Sequence, residues 1–290
     1  MIRFSHHRST AESLQEYGRG IAGGLMFSLP MLYTMEVWWA GFMLHPGRIL
    51  IYGIATFGLL LVYNRFAGLR QDATLIEVMI DSVEELGLGL VLSALVLWLA
   101  GRIGWEMNGL EVLGKIVMEA MTVAIGISVG TAQLGMGDEG DKGLTGEEEQ
   151  NEAAYFPQLS LALCGAVLFA SNVAPTDEVS VIAAESSPAK LLLIALFSIS
   201  LGLLILHFSG FCGSGRYVAR GTAMVTARGI FSTYAVALVA AVGMLWFFGK
   251  LDGEPFSQCL SQTIVLGLPT VLGASAGRLM LQGGNQKTSE

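Results

Sequence analysis

Acidic residues occur inside long apolar runs of this 290-residue chain. Glu36 lies in the run LPMLYTMEVWW, and Asp177 and Glu178 lie in ASNVAPTDEVSV. A charge at the centre of a bilayer costs at least about 2.5–3.5 kcal/mol, so such acids need a proton or a cation as partner. Two neighbouring carboxylates cannot both stay ionised without a positive charge between them. The pattern favours a paired cation or proton site on Glu36 and Glu178, with Asp177 beside it.

Two prolines and two threonines accompany these acids. Pro30 and Pro175 interrupt a helix, which frees backbone carbonyls that can coordinate an ion where they line a cavity. Thr34 and Thr176 would add hydroxyl oxygens as auxiliary ligands. The alternative is that the acids lie just outside the membrane in loops, an interpretation that fits Asp177 best.

A second group of acids follows in LIEVMIDSVEELGLGL. Their spacing of i, i+4, i+7 and i+8 predicts one acidic stripe on a helix, about two turns long, lining a wet vestibule. The stripe consists of Glu77, Asp81, Glu84 and Glu85. The alternative is a helix that begins only near Leu86 and leaves the stripe in solvent. The candidate metal ligands are Glu36, Glu178, Asp81, Glu84 and Glu85.

Glu119 lies in a further apolar run, four residues after Lys115. An ion pair along the helix is the simpler interpretation, and a role as ligand or proton relay is the other. Arg228 lies near the position of the acidic stripe in the repeat described below, so it is a candidate counter-charge to that stripe.

The ligand types restrict the ion. Carboxylates and hydroxyls without a Cys or His cluster favour Ca²⁺, Mg²⁺, Na⁺ or H⁺ over zinc or copper, and a divalent ion such as Ca²⁺ is slightly preferred. We expect no other cofactor. No nucleophile–base motif occurs, so an enzyme is not expected, and Gly126-Ile-Ser128-Val-Gly130 is better explained by close helix packing.

The positioning elements are apolar helices, because 53% of the residues are hydrophobic and only 14% are charged. A spanning helix needs about 20 mostly apolar residues. The sequence therefore predicts an all-α polytopic membrane protein of about eight transmembrane helices. The spans are 20–44, 49–66, 74–101, 110–135, 157–184, 189–208, 222–248 and 257–280. Lys and Arg total 16 against 24 acids, which excludes a nucleic-acid partner.

An internal repeat appears when the sequence is shifted by 142 residues. Glu36 then aligns with Glu178, and Thr34 with Thr176. Further matches pair Gly23 with Gly165 and Pro46 with Pro188, and at a shift of 147 the Gly126–Gly130 run aligns with 273–277. Two tandem four-helix repeats, related by a pseudo-twofold along the membrane normal, are expected.

The repeat and the charges set the predicted domains. These are a cytoplasmic segment 1–19, a first repeat 20–135, an acidic loop 136–156, a second repeat 157–281 and a tail 282–290. Ten Lys and Arg residues fall on the side of the N-terminus and four on the other, which predicts that both termini are cytoplasmic. A true EF-hand in the acidic loop is disfavoured, because Gly140 and Lys142 occupy ligand positions.

Three segments resemble an uncharacterised family of bacterial integral membrane proteins. They are Y-T-M-E-V-W-W at 33–39, D-S-V-E-E-L-G at 81–87 and A-P-T-D-E-V at 174–179. The resemblance implies a multi-pass protein of the bacterial inner membrane and implies nothing about a substrate.

The sequence as a whole favours a cation channel or proton-coupled cation transporter that uses intramembrane carboxylates. Its expected partners are membrane lipid, inorganic cations and protons, and a homo-oligomer remains open. The alternative is a membrane receptor or partner subunit whose acidic helix face pairs with a basic partner, without transport.

Overall fold

The structure is a computed structural model that describes residues 10–68, 74–135, 155–208 and 223–280. Every regular element in these ranges is a helix, so the predicted all-α fold class is confirmed. The helices are α1 Thr10–Leu32, α2 Met35–Met43, α3 Pro46–Ala67, α4 Leu75–Leu99, α5 Gly109–Gly135, α6 Tyr155–Val173, α7 Glu178–Glu185, α8 Pro188–Phe208, α9 Ala223–Phe247 and α10 Phe256–Met280. The predicted acidic loop, up to residue 154, and the predicted tail lie outside the described residues.

Seven of these helices are long and apolar enough to cross a membrane, within the ranges that the structure describes. They are α3, α4, α5, α6, α8, α9 and α10. Their outward faces carry large apolar side chains; Leu193 and Phe197 on α8 are 65% and 59% exposed. Exposed apolar surface on this scale suits contact with lipid rather than water.

Two predicted spans are not continuous helices. The span predicted at 20–44 is divided between α1 and α2, and the span predicted at 157–184 between α6 and α7. After α1 the chain turns at Thr34, whose amide donates to Met31 O at 2.8 Å. α6 ends at Val173, shortly before Pro175, because a proline disfavours helical geometry in the residue before it.

The two short helices, α2 and α7, lie at one end of the bundle, here called the short-helix end. α2 packs there against the start of α5, where the backbones of Gly41 and Gly114 touch. α7 packs against the start of α10, where Gln258 Nε2 donates to Ser180 O at 3.3 Å. The opposite end, where α1 begins, is called the N-terminal end.

Helix lengths follow the same order twice along the chain. They are 23, 9, 22, 25 and 27 residues for α1 to α5, then 19, 8, 21, 25 and 25 for α6 to α10. This order is what a duplication would give. The pseudo-twofold itself stays a prediction.

Glycines bring the first and last helices of each series into backbone contact. A methyl group on Gly23 of α1 would collide with Gly130 and Gly126 of α5. A methyl group on Gly165 of α6 would collide in the same way with the backbone of Gly273 and Gly277 of α10. Small residues permit this approach of two helices in a membrane, which is the packing role expected for Gly126 and Gly130.

The contact makes α5 a central helix. In its spanning segment, Gly109–Ala132, 72% of the most apolar 18-residue stretch is buried inside the protein. The corresponding stretch of α8 is only 11% buried. A helix surrounded on all sides hides its polar groups from both lipid and water. Polar side chains on α5 are therefore candidates for binding or transferring an ion or a proton.

We expect Gly23→Ala to destabilise the protein by about 1–3 kcal/mol, the usual cost of overpacking, because α1 and α5 must separate to admit the methyl group. The change is measured as the midpoint of thermal unfolding in detergent. The readout is the fraction of protein that stays monodisperse on size-exclusion chromatography. Gly87→Ala is the matched control, since Gly87 is helical and has open space around it. An equal midpoint for the two variants would contradict the contact.

Candidate functional site

The predicted carboxylate pair lies at the short-helix end rather than in the middle of a span. Glu36 is half-buried in the first turn of α2, and Glu178 is exposed in the first turn of α7. Asp177 is exposed and forms an ion pair with Lys250, with Nζ 2.6 Å from Oδ1. The pairing of Glu36 with Glu178 stays a prediction, and the alternative of a rim position fits Asp177 and Glu178 better.

Carbonyls at the ends of α1 and α6 accept hydrogen bonds from side chains of the protein. Thr34 Oγ1 donates to Pro30 O at 2.8 Å, and Trp38 Nε1 donates to Leu32 O at 3.0 Å. Thr176 Oγ1 donates to Val173 O at 2.8 Å. Thr34 and Thr176 thus bond to carbonyls at the ends of α1 and α6, and their role as auxiliary ion ligands stays a prediction.

The acidic stripe divides into residues with different roles. α4 begins at Leu75, so the alternative of a helix that starts near Leu86 is wrong. Glu77 forms a capping box with Thr74, whose amide donates to Glu77 Oε2 at 2.7 Å. Glu84 is exposed, whereas Asp81 and Glu85 are half-buried.

Glu85 belongs to a buried polar cluster between α3, α4 and α5, here called the Asn64 cluster. It consists of Asn64, Ser82, Glu85 and Ser128. Asn64 Nδ2 donates to Ser82 Oγ at 3.1 Å and to Glu85 Oε2 at 2.8 Å, and Ser128 Oγ donates to Asn64 Oδ1 at 2.9 Å. Asn64 is 7% exposed, and Ser82 and Ser128 are still more buried. The cluster links one half-buried acid of the stripe to the central helix α5.

Glu119 is the acid that the structure buries completely. Its exposed fraction is 0%, and neither carboxylate oxygen has a hydrogen-bond partner among the described residues. The predicted ion pair with Lys115 is not formed, because Lys115 Nζ lies 2.6 Å from Glu111 Oε1, one turn the other way. Lys115 also donates to Arg102 O at 3.3 Å.

Hydroxyl groups surround the level of Glu119. Tyr52 on α3, within electrostatic range of Glu119, shares a 2.9 Å hydrogen bond with Thr122, which lies almost one turn after Glu119 on α5. Thr56 on α3 and Ser93 on α4 are also buried, and the hydroxyl of each has no hydrogen-bond partner within the described part of the chain. Buried unsatisfied hydroxyls are uncommon, and they mark a place where a polar guest can bind.

The alignment of α1 against α5 places Glu119 near the C-terminal end of α1, where the chain turns before α2. The two helices are antiparallel, with Gly20 against Thr131 and Gly24 against Gly126 and Ile127. At 1.5 Å per residue along both helices, Glu119 is level with about Met31, in the last turn of α1.

That last turn is held by a residue of the second series of helices. Asn172 on α6 accepts the amide hydrogen of Met31 at 3.0 Å and donates to Phe27 O at 3.1 Å. Phe27 and Met31 are four residues apart, the spacing of a helix hydrogen bond, so the Asn172 carboxamide bonds to both backbone groups in the last turns of α1. The sequence interpretation missed it, although an asparagine in an apolar span is itself a signal of a polar contact.

The series also meet through an ion pair at the short-helix end. Arg48 Nη1, at the start of α3, lies 2.7 Å from Asp252 Oδ2 in the segment between α9 and α10. The hydrogen bond from Arg48 lowers the pKa of Asp252 below its usual value. Because the Asp252 side chain is 55% exposed, this pair is screened by solvent and positions the loop more than it stabilises the fold.

Arg278 is a buried arginine of the second series among the side chains that the structure describes, and the counter-charge role of Arg228 stays a prediction. The side chain of Arg228 lies outside the described residues, although its backbone is part of α9. Arg278 Nη2 donates to Gln158 Oε1 at 2.7 Å, and Nη1 donates to Gly229 O at 2.8 Å and to Thr233. These contacts join α6, α9 and α10 near the N-terminal end.

The acids that the structure describes do not assemble into a metal centre. Among the described residues, no group of three or more His, Cys, Asp and Glu side chains is close enough to hold a metal ion. The five candidate metal ligands are all described, so they do not form a joint site in this arrangement.

These features define a polytopic α-helical membrane protein with one fully buried carboxyl among its spanning helices. Residues 16–281 match the family model described as "Putative integral membrane protein (DUF2391)". The chain belongs to this family, which confirms the resemblance inferred from the three segments. No curated protein and no solved structure matches the chain.

We expect Asn172→Leu to lower the thermal midpoint, because Met31 N and Phe27 O would lose their partner and each buried unsatisfied group costs about 1–3 kcal/mol. Ser200→Ala on the exposed face of α8 is the control, since it removes one side-chain hydrogen bond within that helix and no contact between helices. Equal midpoints for Asn172→Leu and the parent would show that the carboxamide does not hold α1.

Proposed function

We propose that this protein moves protons across the membrane, alone or in exchange for another cation, and that the carboxyl group of Glu119 carries the proton. The supporting observation is the complete burial of Glu119 without a partner for either oxygen within the described residues. An ionised carboxylate in such a place costs several kcal/mol unless a positive charge neutralises it. A carboxyl that must gain a positive partner whenever it ionises is suited to carry one.

The surroundings of Glu119 favour the proton among the cations that the sequence left open. Ca²⁺ takes about six to eight oxygen ligands, and Mg²⁺ needs a near-octahedral set. Glu119 contributes one carboxylate, and the nearby groups are the single hydroxyls of Tyr52 and Thr122. A proton needs only one carboxylate oxygen, and hydroxyls can accept and donate it in turn.

The Asn64 cluster supplies a route from the N-terminal end. Ser128 lies nine residues beyond Glu119 on α5, which is about 13 Å along the axis. Between these levels α3 contributes the hydroxyl of Thr56, and Ser93 of α4 lies one turn past Gly89, at about the level of Glu119. We propose that a proton enters at Glu85 and passes through the Asn64 cluster and these hydroxyls, with water between them, to Glu119.

The predicted repeat supports a functional rather than a packing role for Glu119. The shift of 147 that aligns Gly126 and Gly130 with Gly273 and Gly277 aligns Glu119 with Leu266, which is also completely buried. The same position in the second series is filled by an apolar side chain. Packing alone therefore gives no reason for an acid at residue 119.

The inner membrane and the cytoplasmic termini belong to the same proposal. If the N-terminal end faces the cytoplasm, Glu85 is the cytoplasmic entrance and the Lys115–Glu111 pair lies towards the other side. We propose transport rather than catalysis, because moving a proton through the bundle requires no covalent change in any other molecule.

We expect Glu119→Gln to reduce proton flux to the level of empty liposomes, because an amide cannot take up and release a proton. The purified full-length protein is reconstituted in liposomes that contain a pH-sensitive dye, and flux is started by a pH gradient with and without Na⁺, K⁺, Mg²⁺ or Ca²⁺. Glu119→Asp should retain part of the flux. Glu84→Gln, which removes an exposed acid of α4, should leave it unchanged.

The outcomes separate the candidate functions. Flux that persists in Glu119→Gln and disappears in Glu36→Gln or Glu178→Gln would move the site to the predicted carboxylate pair. If the parent protein carries no common cation, the transport proposal fails, and the receptor or partner-subunit alternative is favoured.

We expect Asn64→Leu to lower proton flux about tenfold or more while leaving Glu119 intact, because it removes the donor and acceptor that join Glu85 to Ser128. Cys164→Ala, which alters another buried residue of the core near α3, is the control for packing. Unchanged flux in Asn64→Leu would exclude the route through the Asn64 cluster without affecting the assignment of Glu119.

A further inference from the structure

Lys115 occupies the middle of three charged positions on α5. Glu111 precedes it by four residues, and Glu119 follows it by four. Positions four apart lie above one another on a helix, so both carboxylates are neighbours of the same ammonium group. In this structure Nζ of Lys115 is 2.6 Å from Glu111 Oε1, whereas Glu119 has no partner within the described residues.

The two carboxylates differ in their access to solvent. The Glu111 side chain is 32% exposed, and Glu119 is 0% exposed. Glu111 can therefore remain ionised without Lys115, because water solvates it. Glu119 cannot remain ionised alone. When it loses its proton, movement of the nearest cation to its carboxylate lowers the free energy most.

The Lys115 side chain has the reach for this exchange. Adjacent turns of a helix are about 5.4 Å apart, and lysine carries its ammonium on a flexible four-carbon stem. Its side chain is only 9% exposed and passes through the protein, with Nζ 5.6 Å from the Phe42 ring of α2. The movement would take place inside the bundle rather than in bulk water.

Few other charged groups compete for Lys115. Arg102, in the segment before α5, offers its carbonyl to Lys115, while its guanidinium lies over the Trp38 ring at 4.5 Å. On α3 the titratable groups at this end are Tyr52, hydrogen-bonded to Thr122, and Arg48, which is paired with Asp252. On α2 the titratable group is Glu36, half-buried in the first turn. α1 and α4 present no described acid or base at this level of α5.

We propose that Lys115 is a positioning residue that alternates between Glu111 and Glu119 during transport. With Glu119 protonated, Lys115 pairs with Glu111, as in this structure. When Glu119 releases its proton to water at the short-helix end, Lys115 breaks its pair with Glu111 and neutralises the Glu119 carboxylate. A proton that arrives through the Asn64 cluster restores the carboxyl, and Lys115 returns to Glu111. The buried carboxyl of Glu119 is either protonated or paired with Lys115 at each step, and the proton that it releases leaves the solvated Glu111 carboxylate unpaired. This inference rests on the proposed function.

The exchange predicts opposite effects of two substitutions. Lys115→Met removes the counter-charge, so Glu119 should keep its proton to higher pH, and the pH of half-maximal flux should rise by about one unit or more. Glu111→Gln removes the competitor, so Lys115 should favour Glu119, and the same midpoint should fall. Lys115→Arg keeps the charge and should stay near the parent. An ion pair that stabilises the fold without coupling to Glu119 would shift neither midpoint.

A second measurement tests the exchange independently of transport. The infrared C=O band of the protonated Glu119 carboxyl, identified by its loss in Glu119→Gln, is titrated in the reconstituted full chain. We expect its midpoint to rise in Lys115→Met, fall in Glu111→Gln and remain unchanged in Glu106→Gln, which removes an exposed acid before α5. Midpoints that do not separate in this order overturn the inference, even if the parent moves protons. If the order holds without proton flux, the coupling stands and the transport proposal fails.

Discussion

The backbone contact between α1 and α5 is the interaction on which the described arrangement depends. Because Gly23, Gly126 and Gly130 have no side chains, α1 lies directly against α5, and α3 and α4 cover the remaining faces of that helix. The helix that carries Glu119 is therefore enclosed by protein along most of its length. A larger residue at the contact would open a gap that lipid or water could enter, and the carboxyl would no longer be isolated.

Isolation gives the acids of this chain different properties although they are chemically the same. Glu77 caps a helix, Asp177 pairs with a lysine at the surface, and Glu85 accepts a hydrogen bond from Asn64. Each of these arrangements leaves the carboxylate stabilised by a fixed partner or by water. Glu119 has neither in the described structure, and a buried group without a fixed partner can respond to the arrival and departure of a charge.

The sequence predicted the fold class and most of the spans, because long apolar runs determine helices in lipid. It predicted interruptions at Pro30 and Pro175 within continuous spans, whereas α1 continues through Pro30 to Leu32 and the chain turns at Tyr33–Thr34. Hydropathy averages over so short a turn. The sequence interpretation favoured Glu36 and Glu178 because they occupy equivalent positions in the repeat. An alignment of the two halves gives no information on how exposed each side chain is. The partner of Lys115 was misjudged for a related reason: two acids lie four residues away, and only tertiary packing selects between them. The sequence interpretation missed Tyr52, Asn64 and Asn172. It treated acids in apolar runs as signals of function but did not treat single uncharged polar residues in the same way.

Asn172 has a mechanical consequence. Its carboxamide accepts from Met31 N and donates to Phe27 O, so the final turn of α1 is bonded to α6 of the second series. Rotation of one helical series against the other would strain or break these two hydrogen bonds. Because Met31 is about level with Glu119, they tie the second series to the helix turn at the depth of that carboxyl.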